Sequence, residues 1–190
     1  MTQFKSGEME KEAVRMVAAM MAASARTAPK ARGVDAIETM VLDGGDLEIL
    51  ASAMQDKAKE QPPYFSWAFD MNARNIRNSS CVLLIGVVGY PPKIEEPLDC
   101  GACGYKTCKR LLETKKRQGK DFSGPICILR AIDLGIALGS AVKLAGELNV
   151  DNRIMYTIGA AAKKLRLLDS DIVIGIPLSV TGKSPYFDRQ

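Results

Sequence analysis

Apolar residues in the first part of the chain recur with the period of a helix, then of a strand, then of a helix again. Residues 14–25 place Val, Ala and Met side chains at helical spacing, which predicts an amphipathic helix that faces a core. Residues 36–42 alternate as a strand does. Asp46 is a candidate N-cap for a second helix that continues to about Lys59.

The rest of the chain continues this interspersed pattern. A short helix is expected over residues 70–77, followed over residues 81–88 by a continuous apolar run typical of a strand buried on both faces. Two longer helices are expected over residues 130–148 and 152–167, and a further strand over residues 171–177. Interspersed strands and helices favour a layered α/β or α+β fold.

The length and composition of the chain indicate one globular domain. Of its 190 residues, 47% are hydrophobic and 25% are charged, so a core can be buried. We expect a single domain over residues 1–190, with residues 91–130 as an insertion. The net charge of +4 is too small to predict nucleic-acid binding. No segment approaches the ~20 apolar residues that span a bilayer, so no membrane partner is expected.

The apolar run near the N-terminus has two interpretations. Basic residues precede it and the small residues 23–25 follow it, as in a short secretory signal. However, Glu8, Glu10 and Glu12 stand where such a signal carries its positive charge. The amphipathic helix is therefore the preferred interpretation.

Histidine is absent from the chain, and this limits the chemistry that it can perform. A Ser-His-Asp triad, a Cys-His dyad, a His-ligated zinc ion and an imidazole base are all excluded. Any reaction must use Cys, Lys, Tyr or carboxylate side chains, or a cofactor. Of the five cysteines, four lie between Cys100 and Cys127, which is the distribution of a site.

The four clustered cysteines, Cys100, Cys103, Cys108 and Cys127, follow the spacing C-x2-C-x4-C-x18-C. A [4Fe-4S] cluster requires four thiolates, and three from one loop with a fourth from farther along is a common way to supply them. The fifth cysteine, Cys81, lies inside an apolar run and is interpreted as a core residue rather than a ligand.

The residues around the first three cysteines fit a cluster loop. Gly101 and Gly104 allow the backbone to wind tightly and to turn N–H groups toward the inorganic sulfides. A helix is expected to follow over residues 106–120. Between Asp99 and Arg130 there are eight basic and three acidic residues, a net charge of +5. This excess would stabilise an anionic cluster or steer an acidic partner, and it is also compatible with a solvated helix face.

Three other interpretations of the cysteines remain open. A four-cysteine zinc site would use the same ligands, although zinc sites usually pair two short C-x2-C units. Disulfides would require an oxidising compartment. A redox-active C-x-x-C dithiol would leave Cys108 and Cys127 without a role.

The run of residues 98–105 together with Cys108 resembles the four-cysteine [4Fe-4S] motif of electron-transport complex B subunits and of the large corrinoid iron-sulfur protein subunit. The whole chain also resembles a family of prokaryotic proteins described as containing a ferredoxin domain. The resemblance of the motif implies electron transfer or cluster-dependent chemistry, whereas the description of the family implies no activity.

The flanks of the cysteine segment are similar to nitroreductase-like flavoproteins. Residues 22–29, followed by a strand and by residues 46–54, resemble the helix, Ala-Pro-Ser loop, strand and helix of that family. Residues 148–159 and 174–177 resemble its Gly-Leu-Gly segment and its closing strand. The resemblance implies an α+β fold in which a mixed sheet lies between helices in three layers, with the iron-sulfur segment inserted in it. It also implies FMN and a homodimer.

If FMN is bound, four basic residues are the candidate contacts for its phosphate: Arg26, Lys30, Arg32 and Lys183. The sequence thus supports three hypotheses. The first is a cytoplasmic [4Fe-4S] protein that transfers electrons to a redox partner protein. The second is an FMN-dependent reductase in which the cluster is an electron relay. The third is a non-catalytic binding module that zinc stabilises.

Overall fold

The computed structural model describes residues 3–187, and these form six α-helices, one 3-10 turn at Ala31–Gly33 and six strands. The helices are α1 (Ser6–Thr27), α2 (Gly45–Lys59), α3 (Pro63–Arg77), α4 (Cys108–Glu113), α5 (Ile128–Glu147) and α6 (Tyr156–Lys164). The strands are β1 (Ile37–Asp43), β2 (Cys81–Val87), β3 (Arg117–Gln118), β4 (Ser123–Gly124), β5 (Asp151–Asn152) and β6 (Ile172–Ser179). The first two and last three residues of the expected 1–190 domain lie outside this description.

The central sheet has the strand order β1-β2-β6-β5. Its middle strand β2 is buried at all seven positions, which confirms the expectation of a strand covered on both faces. β2 begins at Cys81, which pairs with Asp43 and Leu178, and it ends at Val87, which pairs with Ile37 and Ile172. The cysteine segment leaves the sheet from the Val87 end.

Helices cover both faces of the sheet, so the fold has three layers. On one face α1 and α5 pack over β2 and β6, and on the other face α2, α3 and α6 form a second core with the same strands. In α1 the buried side chains are those with the predicted spacing: Val14, Val17, Ala18, Met21 and Ala25. The predicted α+β class, the core-facing first helix and the long helix α5 are confirmed.

The sheet is antiparallel at every described pairing, and here the expectation of a mixed sheet is wrong. Of the three helices between β2 and β6 in the chain, two cover the sheet, α5 on one face and α6 on the other. Each helix returns the chain along the sheet, so β6 runs opposite to β2. A single crossover helix would have made the two strands parallel.

Four predicted helices differ from the structure in their boundaries. The helix expected over residues 70–77 is longer and begins at Pro63, and α2 begins after Gly44 rather than Asp46. The segment expected as a helix over residues 152–167 contains β5 before α6. The helix expected over residues 106–120 ends at Glu113 as α4, and the β3–β4 hairpin follows it.

The cysteine segment connects the end of β2 to the start of α5. Between Val87 and Ile128 it contains only α4 and the short β3–β4 hairpin as regular structure. Among residues 3–187, no helix has the length and apolar character that crossing a bilayer requires.

Candidate iron-sulfur site

The four clustered cysteines differ in their exposure. Cys100 is exposed, Cys103 and Cys108 are partly buried, and Cys127 is buried. All four thiols are free of disulfides, so none is committed to another bond. Cys81 lies at the far end of β2, where burial raises the pKa of its thiol to about 12. The thiol of Cys81 is thus part of the core, as expected.

The loop that carries the first three cysteines turns at two glycines. Gly101 has φ 74° and Gly104 has φ 87°, in the left-handed region that glycine adopts without strain. The N–H of Gly104 donates to the carbonyl of Gly101 at 2.9 Å. The loop closes where the backbone N–H of Cys108 donates to the Asp99 carboxylate at 2.7 Å. The loop is therefore wound as the glycines predicted.

Cys127 is fixed where the cysteine segment returns to the scaffold. Its N–H donates to the carbonyl of Gly89 at 2.9 Å, just beyond the end of β2. A Cβ at Gly89 would lie 2.3 Å from the Ile126 side chain, so only glycine permits this close approach. Cys127 then immediately precedes α5 and presents its thiol to the first turn of that helix.

The electrostatic surroundings of Cys127 link it to two other cysteines. Burial raises the pKa of its thiol, and the backbone N–H groups of Leu129 and Arg130 act in the opposite direction. Cys108 and Cys103, when ionised, raise the pKa of the Cys127 thiol further.

The donor set fits an iron-sulfur cluster in its chemistry and connectivity. Three cysteines lie on one glycine-turned loop and the fourth lies at a helix N-terminus, and every thiol is free. Within residues 3–187, however, no three Cys, Asp or Glu side chains converge closely enough to form a metal site. The loop would have to close toward Cys127 to complete a four-thiolate set.

A buried ion pair in the first turn of α5 holds the surroundings of Cys127. Arg130 pairs with Asp133 at 3.1 Å, and both side chains are almost fully buried. Arg130 also donates to the carbonyl of Tyr90 at 2.9 Å and to that of Val34 at 2.7 Å. Asp133 accepts the N–H of Ala31 at 2.8 Å. One ion pair therefore joins α5, the segment after β2 and the loop after α1.

A second set of contacts fastens the β3–β4 hairpin to the sheet. Lys116 pairs with Asp171 and lies 3.5 Å from the ring centroid of Tyr90. Asp171 also accepts the N–H of Gly89 at 2.6 Å, and its carbonyl accepts the N–H of Ser123 at 3.0 Å. The start of β6 thus holds both ends of the cysteine segment.

The tip of the hairpin reaches the other face of the molecule. There Lys57 of α2, which is 3% exposed, pairs with Asp121 at 2.6 Å. The hydroxyl of Tyr156 donates to the same carboxylate at 2.7 Å. Burial lowers the pKa of Lys57, but the hydrogen bonds with Asp121 and Glu60 outweigh it, and the net pKa is raised. This buried cluster anchors the hairpin to α2 and α6.

Sequence reasoning missed these anchoring residues, although three of them carry a signal. Lys57 occupies a core position, three residues after the buried Met54. Arg130 and Asp133 form an i, i+3 pair of opposite charge in the first half of α5, which is otherwise apolar up to Gly139. A charged side chain at a core position is the observation that predicts a buried ion pair.

Three of the candidate FMN phosphate contacts lie near the Cys127 end of the sheet, and each contacts its own chain. Arg26 pairs with Asp35 and donates to the carbonyl of Ile37 at 2.6 Å. Lys30 donates to three carbonyls at the end of α1: Ala25, Arg26 and Ala28. Arg32 pairs with Glu96 at 2.5 Å.

The fourth candidate, Lys183, lies at the opposite end of the sheet. It follows Ser179, at the end of β6 that pairs with the start of β2. Beyond it, the buried Tyr186 is hydrogen-bonded to Ser79 at 3.0 Å, just before β2. The structure therefore brings Arg26, Lys30 and Arg32 to one end and Lys183 to the other. FMN contacts at these four residues stay a prediction.

A cavity of about 560 Å³ lies beside the hairpin, between the C-terminal ends of α2 and α6. Two of its three carboxylates, those of Glu60 and Asp121, are paired. Glu60 lies between Lys57 at 2.9 Å and Lys164 at 3.0 Å, and these contacts lower its pKa to about 2. Lysines are stabilised at helix C-termini by the backbone carbonyls there. Their presence in this cavity is explained without a ligand.

The fold is that of nitroreductase-like proteins. A nitroreductase with bound FMN from Desulfitobacterium hafniense DCB-2 superposes with a TM-score of 0.54 at 14% identity, covering 100% of this chain and 86% of that one. A nitroreductase-like family protein from Bacillus cereus gives a TM-score of 0.54 at 10% identity, covering 100% and 93%. At these identities the likeness concerns the fold alone.

A closer relative defines the family. A protein of Archaeoglobus fulgidus is 46% identical over 182 residues, which covers 96% of this chain and 95% of that one. The chain belongs to the family of this archaeal protein. Residues 123–189 also match a family described as "Uncharacterized protein containing a ferredoxin domain". That match includes Cys127 and begins after the loop with the other three cysteines.

Proposed function

We propose that this protein binds one [4Fe-4S] cluster through Cys100, Cys103, Cys108 and Cys127 and transfers electrons. The observation that carries the proposal is the placement of the four free thiols, three on a glycine-turned loop and one buried at the start of α5. The description of the matched family as containing a ferredoxin domain supports it. Free thiols also suit the reducing cytoplasm, where we place the protein.

A bound [4Fe-4S] cluster would supply one-electron redox chemistry. The chain provides the ligands and their surroundings. Gly101 and Gly104 would keep side chains away from the inorganic sulfides, and the N–H groups at the start of α5 favour negative charge beside Cys127. Cys100 is exposed, so its edge of the site would be open to a partner.

The proposal is tested by composition and spectrum of protein purified without oxygen. We expect about four iron atoms and about four acid-labile sulfides per chain, with a broad absorption band near ~400 nm. One zinc ion per chain without sulfide would overturn the proposal and favour the zinc-stabilised module instead.

The same preparation tests the flavin alternative. The nitroreductase-like fold supports the FMN-dependent reductase. The contacts of Arg26, Lys30 and Arg32 with their own chain do not support it. About one FMN released per chain would favour the reductase, with the cluster as its relay.

We also propose a homodimer, in which α5 contacts its counterpart in a second copy. The outer face of α5 exposes Ile128, Ile132 and Ile136 to between 37% and 49%. Gly135 and Gly139 lie on the same face with open space above them. In a two-fold contact the same surface meets itself, so it must supply both protrusions and recesses. On this face the isoleucines are the protrusions and the glycines are the recesses. A second copy therefore fits it.

The dimer predicts a specific effect of one charge on α5. Ile132→Glu should convert the protein to a monomer, because a carboxylate would be buried without a partner at the interface. Ile49→Glu on α2 is the matched control, since Ile49 is 57% exposed on another face and should leave the dimer intact. Analytical ultracentrifugation measures both. A monomeric wild-type protein would contradict the prediction.

A further inference from the structure

The cysteine segment carries more exposed basic than acidic side chains. Between residues 98 and 118 the exposed acids are Asp99 and Glu113. The exposed cations of the same stretch are more numerous, and we call them the cationic surface: Lys106, Lys109, Arg110, Lys115 and Arg117.

Most of this positive charge is uncompensated. Glu113 lies 4.0 Å from Lys109 and 3.6 Å from Arg110, and Asp99 accepts a backbone N–H. Within residues 3–187, the remaining three cations make no ion pair: Lys106, Lys115 and Arg117. A local excess of unpaired cations attracts an oppositely charged partner over about a Debye length, ~10 Å at moderate salt.

Apolar side chains lie next to this charge. Leu98 is 49% exposed and Ile94 is 41% exposed, and both precede Cys100 closely in the chain. Exposed apolar residues beside a charged rim are the usual composition of a protein–protein contact. The exposed Cys100 lies within the same segment.

We infer that the cationic surface docks an acidic electron-carrier protein against the cysteine loop. The inference rests on the proposed function, because it names the partner of the same site. A nucleic acid fits less well: Glu113 and Asp99 interrupt the basic residues, and the one aromatic residue in the loop, Tyr105, is partly buried rather than open for stacking. Charge complementarity with an acidic protein sets both its approach and its orientation.

The test measures binding of two labelled probe proteins, an acidic flavodoxin and the basic cytochrome c, by fluorescence anisotropy. Flavodoxin should bind at about 0.02 M salt and dissociate at about 0.5 M, because salt screens the attraction between exposed charges. Cytochrome c should not bind at either salt concentration. Affinity for flavodoxin that does not change with salt would overturn the inference.

Two double variants distinguish an effect of the cationic surface on binding from an effect of the net charge of the protein. Lys106→Glu/Lys115→Glu reverses two of its unpaired cations and should weaken flavodoxin binding about tenfold at low salt. Lys5→Glu/Lys11→Glu makes the same change in net charge near the start of α1 and should weaken it less than about twofold. That region is remote, since Arg15 of α1 pairs with Asp43 at 2.6 Å, at the end of the sheet opposite Cys127.

The outcomes also distinguish this inference from the proposed function. Equal weakening by both variants, or tighter binding of a single-stranded RNA oligomer than of flavodoxin, overturns the docking surface. Iron and sulfide are assayed on the same preparations. Charge-dependent binding by a protein without sulfide would refute the cluster and support the surface, whereas a loaded cluster without binding would refute the surface alone.

Discussion

Cys127→Ser should reduce the bound iron from about four atoms per chain to well below one, with a parallel loss of sulfide. The serine hydroxyl is a poor ligand for iron, and the other three cysteines lie on one loop that has no further thiol to offer. The fold should survive, because the N–H of Cys127 that bonds to Gly89 is a backbone group and is retained. Iron and sulfide assays on anaerobically reconstituted protein measure the effect, and circular dichroism checks the fold.

Cys81→Ser provides the matched control for this prediction. Cys81 is equally buried but lies at the far end of β2, so the same substitution there should leave iron and sulfide unchanged. It is expected to cost stability, because the new hydroxyl is buried in an apolar strand. Equal iron loss in the two variants, with Cys81→Ser still folded, would contradict the ligand assignment.

Arg130→Met should lower the free energy of unfolding by about 3–5 kcal/mol, the usual cost of leaving one partner of a buried ion pair uncompensated. Asp133 would stay buried at 2% exposure without its cationic partner, and the carbonyls of Val34 and Tyr90 would lose their donor. Urea denaturation at neutral pH measures the change.

The double variant Arg130→Met/Asp133→Leu distinguishes stability from positioning. Removing both charges should recover much of the lost free energy, since apolar replacements of a buried pair are often neutral. If Arg130 positions Cys127, the double variant should still bind less iron than wild type, because α5 would no longer be tied to the segment after β2. Full stability together with full iron content would show that the pair has no positioning role.

The periodicity of apolar residues was sufficient to predict the helices and strands whose contacts are mostly apolar. The spacing of Val14, Val17, Met21 and Ala25 predicted the buried face of α1, and the unbroken apolar run predicted that β2 is covered on both sides. The cysteine spacing also predicted one loop with a fourth, separate thiol. In each case the information lies within a short stretch of sequence.

The features that sequence reasoning missed depend on contacts between distant residues. The helix expected over residues 106–120 stops at Glu113, because Lys116 turns to Asp171 and Asp121 turns to Lys57. Arg130 is one of the eight basic residues counted in the segment, but it is buried against Asp133. The spacing of the cysteines likewise does not bring the four thiols together, and among residues 3–187 the structure does not show them converged.

The buried contacts of Asp121 with Lys57 and Tyr156 make the cysteine segment and its scaffold mutually dependent. Cutting out residues 91–130 would leave Lys57 with Glu60 as its one remaining carboxylate partner among residues 3–187, and Tyr156 would lose its acceptor. A graft of the same residues into another protein would lack the lysine that holds its hairpin. The cysteine segment is therefore not an independent unit, because the position of its hairpin depends on residues of α2 and α6.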